Sequence, residues 1–134
     1  MAFSDTYRLS SHAVITNSQG QVLLLKANYG QKSWGLPGGA LDKGETIHQA
    51  LLRECQEELN CDVEIGYLSG VYYHTVFNSH VFIFRAYMDD DAEIMLSNEH
   101  TEYRYFPIDE LSTVQKERVL DCLNFTHEVV SKVF

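Results

Sequence analysis

The chain has 134 residues, the length of about one average domain, and its 45% hydrophobic and 22% charged residues are typical of folded globular proteins. This composition excludes an intrinsically disordered chain. The formal net charge of -9 argues against binding to nucleic-acid polymers or anionic membranes, because basic surface supplies most of the affinity for both.

The first part of the chain predicts two strands, at residues 12–16 and 22–26, because both runs are rich in aliphatic, β-branched residues. Residues 17–20 read Asn-Ser-Gln-Gly and predict a hairpin-type connection between the two strands. The glycines and the proline of residues 35–39 then predict a loop.

A helix is predicted from Thr46 to about Asn60. Thr46 and Gln49 have the spacing of a capping box, and Asn60 is a suitable left-handed end to the helix. Apolar residues at 51, 52, 55 and 59 are expected to share one helix face and to pack against the sheet.

The second half of the chain is predicted to contain three more strands, at residues 63–75, 80–88 and 103–106. A turn at 78–79 joins the first two, an acidic loop covers 89–100, and a helical turn covers 107–111. Ser112 and Gln115 then begin an amphipathic helix predicted to run to about residue 134. This order of elements predicts an α/β fold in which helices cover both faces of a mixed sheet, within a single domain of residues 1–134.

Cys55, Cys61 and Cys122 contain no CxxC pair, so we expect buried, reduced thiols rather than a disulfide framework or a zinc cluster. The sequence contains neither a signal-peptide pattern nor an apolar run long enough to cross a membrane. We therefore expect a cytoplasmic protein without a membrane partner.

The acidic residues are concentrated in two windows. Residues 42–58 contain five acidic and two basic side chains, and residues 89–110 contain eight acidic side chains and one basic one. Within the first window Glu54, Glu57 and Glu58 have the i, i+3, i+4 spacing that places three carboxylates on one helix face. Such a face can simply be solvated, or it can bind a divalent cation that relieves the repulsion.

The surrounding residues favour the cation. The chain reads Gly39, five residues, Glu45, seven residues, and then Arg53-Glu54-Cys55-Gln56-Glu57-Glu58-Leu59-Asn60-Cys61. This segment, Gly39 to Cys61, resembles the Nudix box, with Asn60 in place of the box glycine and cysteine at two aliphatic positions. The preceding Trp-Gly-Leu-Pro-Gly-Gly run is also similar to the usual lead-in of that family. The resemblance implies a Nudix-type α/β/α sandwich.

The resemblance also implies a site and a reaction. Glu54, Glu57 and Glu58, with the carbonyl of Gly39, would bind Mg²⁺ or Mn²⁺, and Glu45 would pair with Arg53 to orient them. The family's reaction is hydrolysis of a diphosphate linked to another group, so we expect a Mg²⁺-dependent hydrolase.

The residue that assists proton removal is left open by the sequence. Glu99 lies in the acidic loop before the last predicted strand, where several relatives place a base or an extra metal ligand. Glu102 and Glu54 are the alternatives. We expect Glu99 to serve as the assisting residue.

The expected substrate is a small nucleotide: a nucleoside di- or triphosphate or a nucleoside diphosphate derivative. Trp34 and Tyr72 are candidates for stacking on a base, and Arg8 is a candidate contact for phosphate. A Nudix-fold module that binds a nucleotide without cleaving it is the alternative function. The sequence is compatible with a monomer or a homodimer.

Overall fold

A computed structural model describes residues 2–134 of the chain. This part of the chain forms eight strands and two α-helices, with short 3₁₀ helices at Thr75–Phe77 and Ile108–Glu110. The strands are β1 (Arg8–Val14), β2 (Val22–Ala27), β3 (Trp34–Gly35), β4 (Gly38–Ala40), β5 (Glu64–His74), β6 (Ser79–Tyr87), β7 (His100–Phe106) and β8 (Val130–Val133). The helices are α1 (Ile47–Leu59) and α2 (Thr113–Leu123).

The strands form two sheets. The larger sheet is mixed and has the strand order β4-β1-β6-β5-β8, with β1 parallel to β6 and β5 parallel to β8. The smaller sheet is antiparallel and has the order β3-β2-β7. The mixed sheet with helices confirms the predicted fold class, and the division of the strands into two sheets is an additional feature.

The two helices lie on opposite faces of the strands. At the end of β1, Ala13 and the following Ile15 pack in a cluster with Leu51 of α1, whereas Val14 packs in a second cluster with Val119 of α2. This division follows from the period of two along a strand, which directs successive side chains to opposite faces. The predicted helices on both faces are therefore present.

Each of the five predicted strands is present, as β1, β2, β5, β6 and β7, and the ends of these strands differ from the predicted ones. The first strand begins at Arg8 rather than residue 12, because its polar positions Ser10 and Ser11 concealed it. The predicted hairpin is only partly present, since Thr16 pairs with Val22 in one antiparallel bridge while β1 and β2 belong to different sheets. The predicted loop at 35–39 contains the last residue of β3 and the first two residues of β4.

Helix α1 has the predicted ends. The Thr46 side chain accepts from the backbone N–H of Gln49, the Gln49 side chain accepts from the N–H of Thr46, and Asn60 is left-handed with φ 54°. Leu51, Cys55 and Leu59 are buried as expected. The prediction for residue 52 is wrong, because that leucine is exposed on the outer side of the helix.

The predicted helix from Ser112 to about residue 134 is too long. Helix α2 ends at Leu123, His127 adopts a positive φ of 72°, and Val130–Val133 forms β8, parallel to β5. The apolar spacing that suggested a continued helix is produced by a strand rich in valine. The β-branched side chains of this segment fit a strand better than a helix.

The three cysteines are free and buried, as predicted. Within residues 2–134, none of the helices combines the length and apolar character that a membrane span requires.

Candidate active site

The acidic face of α1 is formed by Glu54, Glu57 and Glu58, and Arg53 lies beside it. Its Nε is 2.6 Å from Oε2 of Glu45, and its Nη1 is 3.0 Å from Oε1 of Glu54 and 3.2 Å from Oε2 of Glu57. Its Nη2 donates to the carbonyl of Ala40 at 3.1 Å. The hydrogen bond with Arg53 holds the pKa of Glu45 below its usual range. One guanidinium therefore connects the box glutamates to the end of β4.

Glu58 is the most deeply buried member of the acidic face. Its Oε1 accepts from the backbone N–H of Gly38 at 2.7 Å, and its Oε2 lies 3.3 Å from Nε2 of His100 on β7. Burial raises the pKa of Glu58 to about 8, although the hydrogen bond from Gly38 opposes this shift. Burial likewise lowers the pKa of His100. The contact thus joins a carboxyl and an imidazole that both resist becoming charged.

Glycine at position 39 allows the carboxylate of Glu54 to approach the backbone. A Cβ atom at Gly39 would lie 2.6 to 2.8 Å from the carboxyl atoms of Glu54, closer than real contacts allow. The half-buried position raises the pKa of Glu54, because burial disfavours the charged form. The Gly39 carbonyl and the Glu54 carboxylate therefore belong to one site.

Gly38 has a different role, which is to bring β4 against β1. Its φ is +141°, and a Cβ there would meet the backbone oxygen of Ser11 at 2.1 Å. Only glycine fits this position. The close pairing of the two strands sets the place from which the N–H of Gly38 reaches Glu58.

The two candidate residues near β7 have different surroundings. Glu99 is exposed just before the strand, and its charge is among the causes, after burial, that raise the pKa of Glu54 and Glu58. Glu102 lies 3.4 Å from Nζ of Lys26 on the neighbouring strand. The structure therefore brings Glu99 towards the acidic face and pairs Glu102 with a lysine.

The donor set of this face is chemically suited to Mg²⁺ or Mn²⁺, because carboxylate and carbonyl oxygens are the ligands that hard divalent cations prefer. Over residues 2–134, no three acidic, histidine or cysteine side chains already surround a common point. Arg53 contacts Glu54 and Glu57, while Gly38 and His100 contact Glu58. The donors are gathered on one face, and protein groups occupy their oxygens.

The candidate substrate residues are dispersed. Tyr72 is fully buried and its hydroxyl donates to Asp121 at 2.9 Å, so its ring is in the core rather than at a substrate surface. Trp34 is half-buried and packs edge to face against Phe106, with a centroid distance of 5.1 Å. Arg8 is exposed and lines a cavity on the α2 side of the larger sheet, together with Ser10, His74 and Arg118.

Sequence reasoning missed the contributions of Gly38 and His100. Gly38 precedes the box and could have been suspected from the glycine-rich lead-in. His100 begins β7, 42 residues after Glu58, and no local spacing signals its contact with that carboxylate.

Comparison with known proteins agrees with the geometry. The NUDIX domain model matches residues 6–126. The RNA pyrophosphohydrolase of Vibrio atlanticus is 49% identical over 59 residues, which is 44% of this chain and 34% of that protein. The corresponding protein of Actinobacillus succinogenes is 44% identical over 71 residues, or 51% of this chain and 36% of the relative. These matches span about a third of the length of the relatives.

Solved structures extend the likeness over almost the whole chain. An ADP-ribose pyrophosphatase from Streptococcus suis has a TM-score of 0.76 at 19% identity, covering 96% of this chain and 100% of the other. A UDP-X diphosphatase has a TM-score of 0.80 at 20% identity, covering 98% and 69%. Because only 19% and 20% of the residues are identical, the similarity to these structures shows a shared fold. With the family model matching residues 6–126, the chain belongs to the Nudix family.

Proposed function

We propose that this protein is a Mg²⁺-dependent pyrophosphohydrolase that cleaves a diphosphate bond in a nucleoside di- or triphosphate or a nucleoside diphosphate derivative. The observation that supports this most directly is the acidic face of α1, where Arg53 connects Glu45, Glu54 and Glu57 beside the buried Glu58. The chain is similar to about a third of the length of relatives that are named pyrophosphohydrolases, and this similarity supports the same reaction class.

Glu54, Glu57 and Glu58, together with the carbonyl of Gly39, would hold the cation. When bound, Mg²⁺ or Mn²⁺ neutralises charge on the phosphate oxygens and lowers the pKa of water. The protein's own part is to position the donors. Arg53 sets the side-chain directions of Glu54 and Glu57, and the N–H of Gly38 fixes one oxygen of Glu58.

For proton removal, Glu99 is the best placed of the three candidates. It is exposed, its charge acts on both Glu54 and Glu58, and a carboxylate can accept a proton from water. Glu102 is engaged by Lys26, and Glu54 by Arg53. We infer that Glu99 is the general base.

A panel of nucleotides tests this proposal. Phosphate and pyrophosphate release is measured for nucleoside triphosphates, nucleotide sugars and dinucleoside polyphosphates, with Mg²⁺ and with a chelator. We expect turnover with Mg²⁺ that falls by at least about 10²-fold in Glu57→Gln, because the substitution removes a charged donor. Glu110→Gln is the matched control, since Glu110 is exposed in the 3₁₀ helix of residues 108–110. Equal turnover under every condition would contradict the proposal.

The names of the sequence relatives support a second candidate substrate, a triphosphorylated RNA 5′ end. The net charge of -9 disfavours a long polyanion, and we expect a free nucleoside triphosphate to be preferred over a 5′-triphosphorylated oligonucleotide. Competition between the two in one reaction decides between them. Nucleotide binding by calorimetry without product over hours would instead indicate a non-hydrolysing module.

A further inference from the structure

His100, the first residue of β7, contacts the acidic face of α1 from the smaller sheet. Its Nε2 lies 3.3 Å from Oε2 of Glu58, and its side chain is only 9% exposed. The other ring nitrogen, Nδ1, is buried and has no hydrogen-bond partner within residues 2–134. Nε2 is thus the ring nitrogen that faces a polar group, and this group is the carboxylate of Glu58.

The surroundings of the two nitrogens favour one tautomer of the uncharged ring. An ionised carboxylate only accepts hydrogen bonds, so a proton on Nε2 of His100 gives Glu58 a donor. A proton on Nδ1 would leave a buried N–H without an acceptor and would bring the lone pair of Nε2 against Oε2 of Glu58. The uncharged ring therefore directs its N–H towards Glu58.

An irregularity in β7 determines that His100, rather than Thr101, faces α1. In the pairing of β7 with β2, Glu102 lies opposite Lys26 and His100 lies opposite Ala27, which leaves Thr101 as an additional residue. In a regular ladder Thr101 would lie opposite Ala27 instead. Such a β-bulge re-aims the side chains next to it and is common beside functional sites.

The bulge places His100 on the α1 side of the smaller sheet. Leu25 lies two residues before Ala27, so both project from the same face of β2, and Leu25 packs in the cluster that includes Leu51 of α1. Directly opposed side chains of an antiparallel pair also share a face. His100, opposite Ala27, is therefore turned towards α1, where its ring meets Glu58.

Asn28 holds the chain just before the bulge. Its backbone N–H donates to the carbonyl of Glu99 at 2.7 Å, and its side-chain amide donates to the carbonyl of Asn98 at 2.9 Å. These hydrogen bonds connect the end of β2 with the two residues that precede His100. The backbone at His100 is therefore fixed on both sides, by Asn28 before it and by the β2 pairing after it.

We propose that His100 is a positioning residue that holds the carboxylate of Glu58 in place for a divalent cation. Two groups define the plane of this carboxylate, the N–H of Gly38, 2.7 Å from Oε1, and the imidazole of His100 beside Oε2. A carboxylate has about four lone-pair positions, so each oxygen retains one for a cation. The role rests on the proposed function, because it requires Glu58 to be a cation ligand.

Binding of Mn²⁺, measured from the electron paramagnetic resonance signal of the free ion, tests this role. In His100→Leu, which keeps an apolar side chain of similar bulk without a donor, we expect the Kd for Mn²⁺ to rise about 10- to 100-fold, the usual effect of removing a group that orients a metal ligand. His100→Gln restores an N–H donor on a side chain of similar reach, and we expect an affinity close to that of the wild type. His48→Leu is the matched control, because His48 is exposed on α1 and its ring packs against Phe84.

Each pattern of Mn²⁺ affinities has a distinct meaning. Equal affinity in the wild type and His100→Leu would overturn the positioning role and leave the proposed function standing. Equal weakening in His100→Leu and His100→Gln would also overturn it, because the donor would then make no difference. Absence of Mn²⁺ binding to the wild type would contradict the proposed function itself.

The dependence of turnover on Mg²⁺ gives a second readout. A positioning role predicts that His100→Leu raises the Mg²⁺ concentration for half-maximal turnover by about the same factor as the Kd for Mn²⁺ and leaves kcat at saturating Mg²⁺ nearly unchanged. A loss of kcat that excess Mg²⁺ does not restore would overturn the role.

The tautomer of His100 is measurable without metal or substrate. Spectra that correlate the imidazole nitrogens with the ring protons distinguish the two tautomers in the ¹⁵N-labelled, metal-free protein. We expect the Nε2–H form of His100 in the wild type and a displaced Nε2 signal in Glu58→Gln, with the signals of His48 unchanged. The Nδ1–H form in the wild type would overturn the proposal, whether or not the protein binds Mn²⁺.

Discussion

The acidic face of α1 and the cavity under α2 each contain a central arginine, and the two arginines have opposite surroundings. Arg53 lies within 3.4 Å of four carboxylates, those of Asp42, Glu45, Glu54 and Glu57. Arg118 contacts an imidazole and an amide and, within residues 2–134, forms no ion pair with a carboxylate. The pKa of Arg53 is raised by its hydrogen bond with Glu45, whereas burial lowers the pKa of Arg118.

The difference indicates which ligand charge each region accepts. Around Arg53 the carboxylates outnumber the cation, so the region gains from an additional positive charge. Arg118 is a half-buried cation that forms no ion pair with a carboxylate within residues 2–134, so the region gains from a negative charge. The two regions lie on either side of the β1–β4 pair, where Ser10 faces Ala40 in register.

Removing the guanidinium of Arg53 should have the largest effect on this comparison. In Arg53→Ala, Glu45, Glu54 and Glu57 lose their common partner, and the repulsion between them displaces the proposed metal donors. We expect kcat to fall by about 10²-fold, the scale of a misplaced reacting group. The loss of several charged hydrogen bonds should lower the free energy of unfolding by about 1–3 kcal/mol. Nucleotide turnover and urea unfolding measure the two quantities.

Arg53→Lys is the informative companion variant. It retains the positive charge and loses the planar fork that reaches three carboxylates and the Ala40 carbonyl together. We expect an intermediate loss of activity. Wild-type turnover in Arg53→Ala would contradict the positioning role.

A methyl group at position 39 should disturb the acidic face without unfolding the protein. The added Cβ of Gly39→Ala would meet the end of the flexible Glu54 side chain, which can move away. We expect activity to fall by about tenfold as Glu54 is displaced, with a stability loss of about 1 kcal/mol. Gly35→Ala is the control, because a Cβ there meets no atom within 4 Å. Equal activity in the two variants would contradict the close approach of Glu54 and Gly39.

The acidic face was largely predictable because most of it is local in the sequence. The capping residues Thr46 and Gln49 define the start of α1, and the fixed spacing of three glutamates places them on one face. The contact of Glu58 with His100 was not predictable, since it joins α1 to a distant strand. Long-range contacts of this kind depend on the sheet topology.

The α2 side was less predictable for the same reason. The cavity brings together Arg8, His74 and Arg118 from three elements distant in the sequence, and no motif marks them. The aromatic residue proposed to stack on substrate, Tyr72, belongs to the core because β5 directs it inward towards α2. The segment 130–133 becomes a strand only because β5 is available as its partner. Sequence patterns describe an element's own residues and omit such partners.

The smallest expected effect is that of the Arg118 charge on the titration of its neighbour His12 on the α2 side of the sheet, because burial is the larger cause of that shift. Burial, followed by the charge of Arg118, lowers the pKa of His12 from 6.5 to about 4. The unfolded chain binds the proton more readily, so the free energy of unfolding is highest above pH 6.5 and decreases as the pH falls towards 4. By pH 4 the lost stability should amount to about 3 kcal/mol.

Urea unfolding of the wild type and His12→Asn between pH 4 and 7 measures this contribution, because the carboxylates common to both proteins cancel in the difference. We expect wild-type stability to fall more steeply than that of the variant over this range. In Arg118→Gln the positive neighbour is absent, so the pKa of His12 should rise and the difference between Arg118→Gln and the Arg118→Gln/His12→Asn double variant should shrink. Identical pH profiles with and without Arg118 would mean that its charge is neutralised in the folded protein, and the contrast with Arg53 would then be lost.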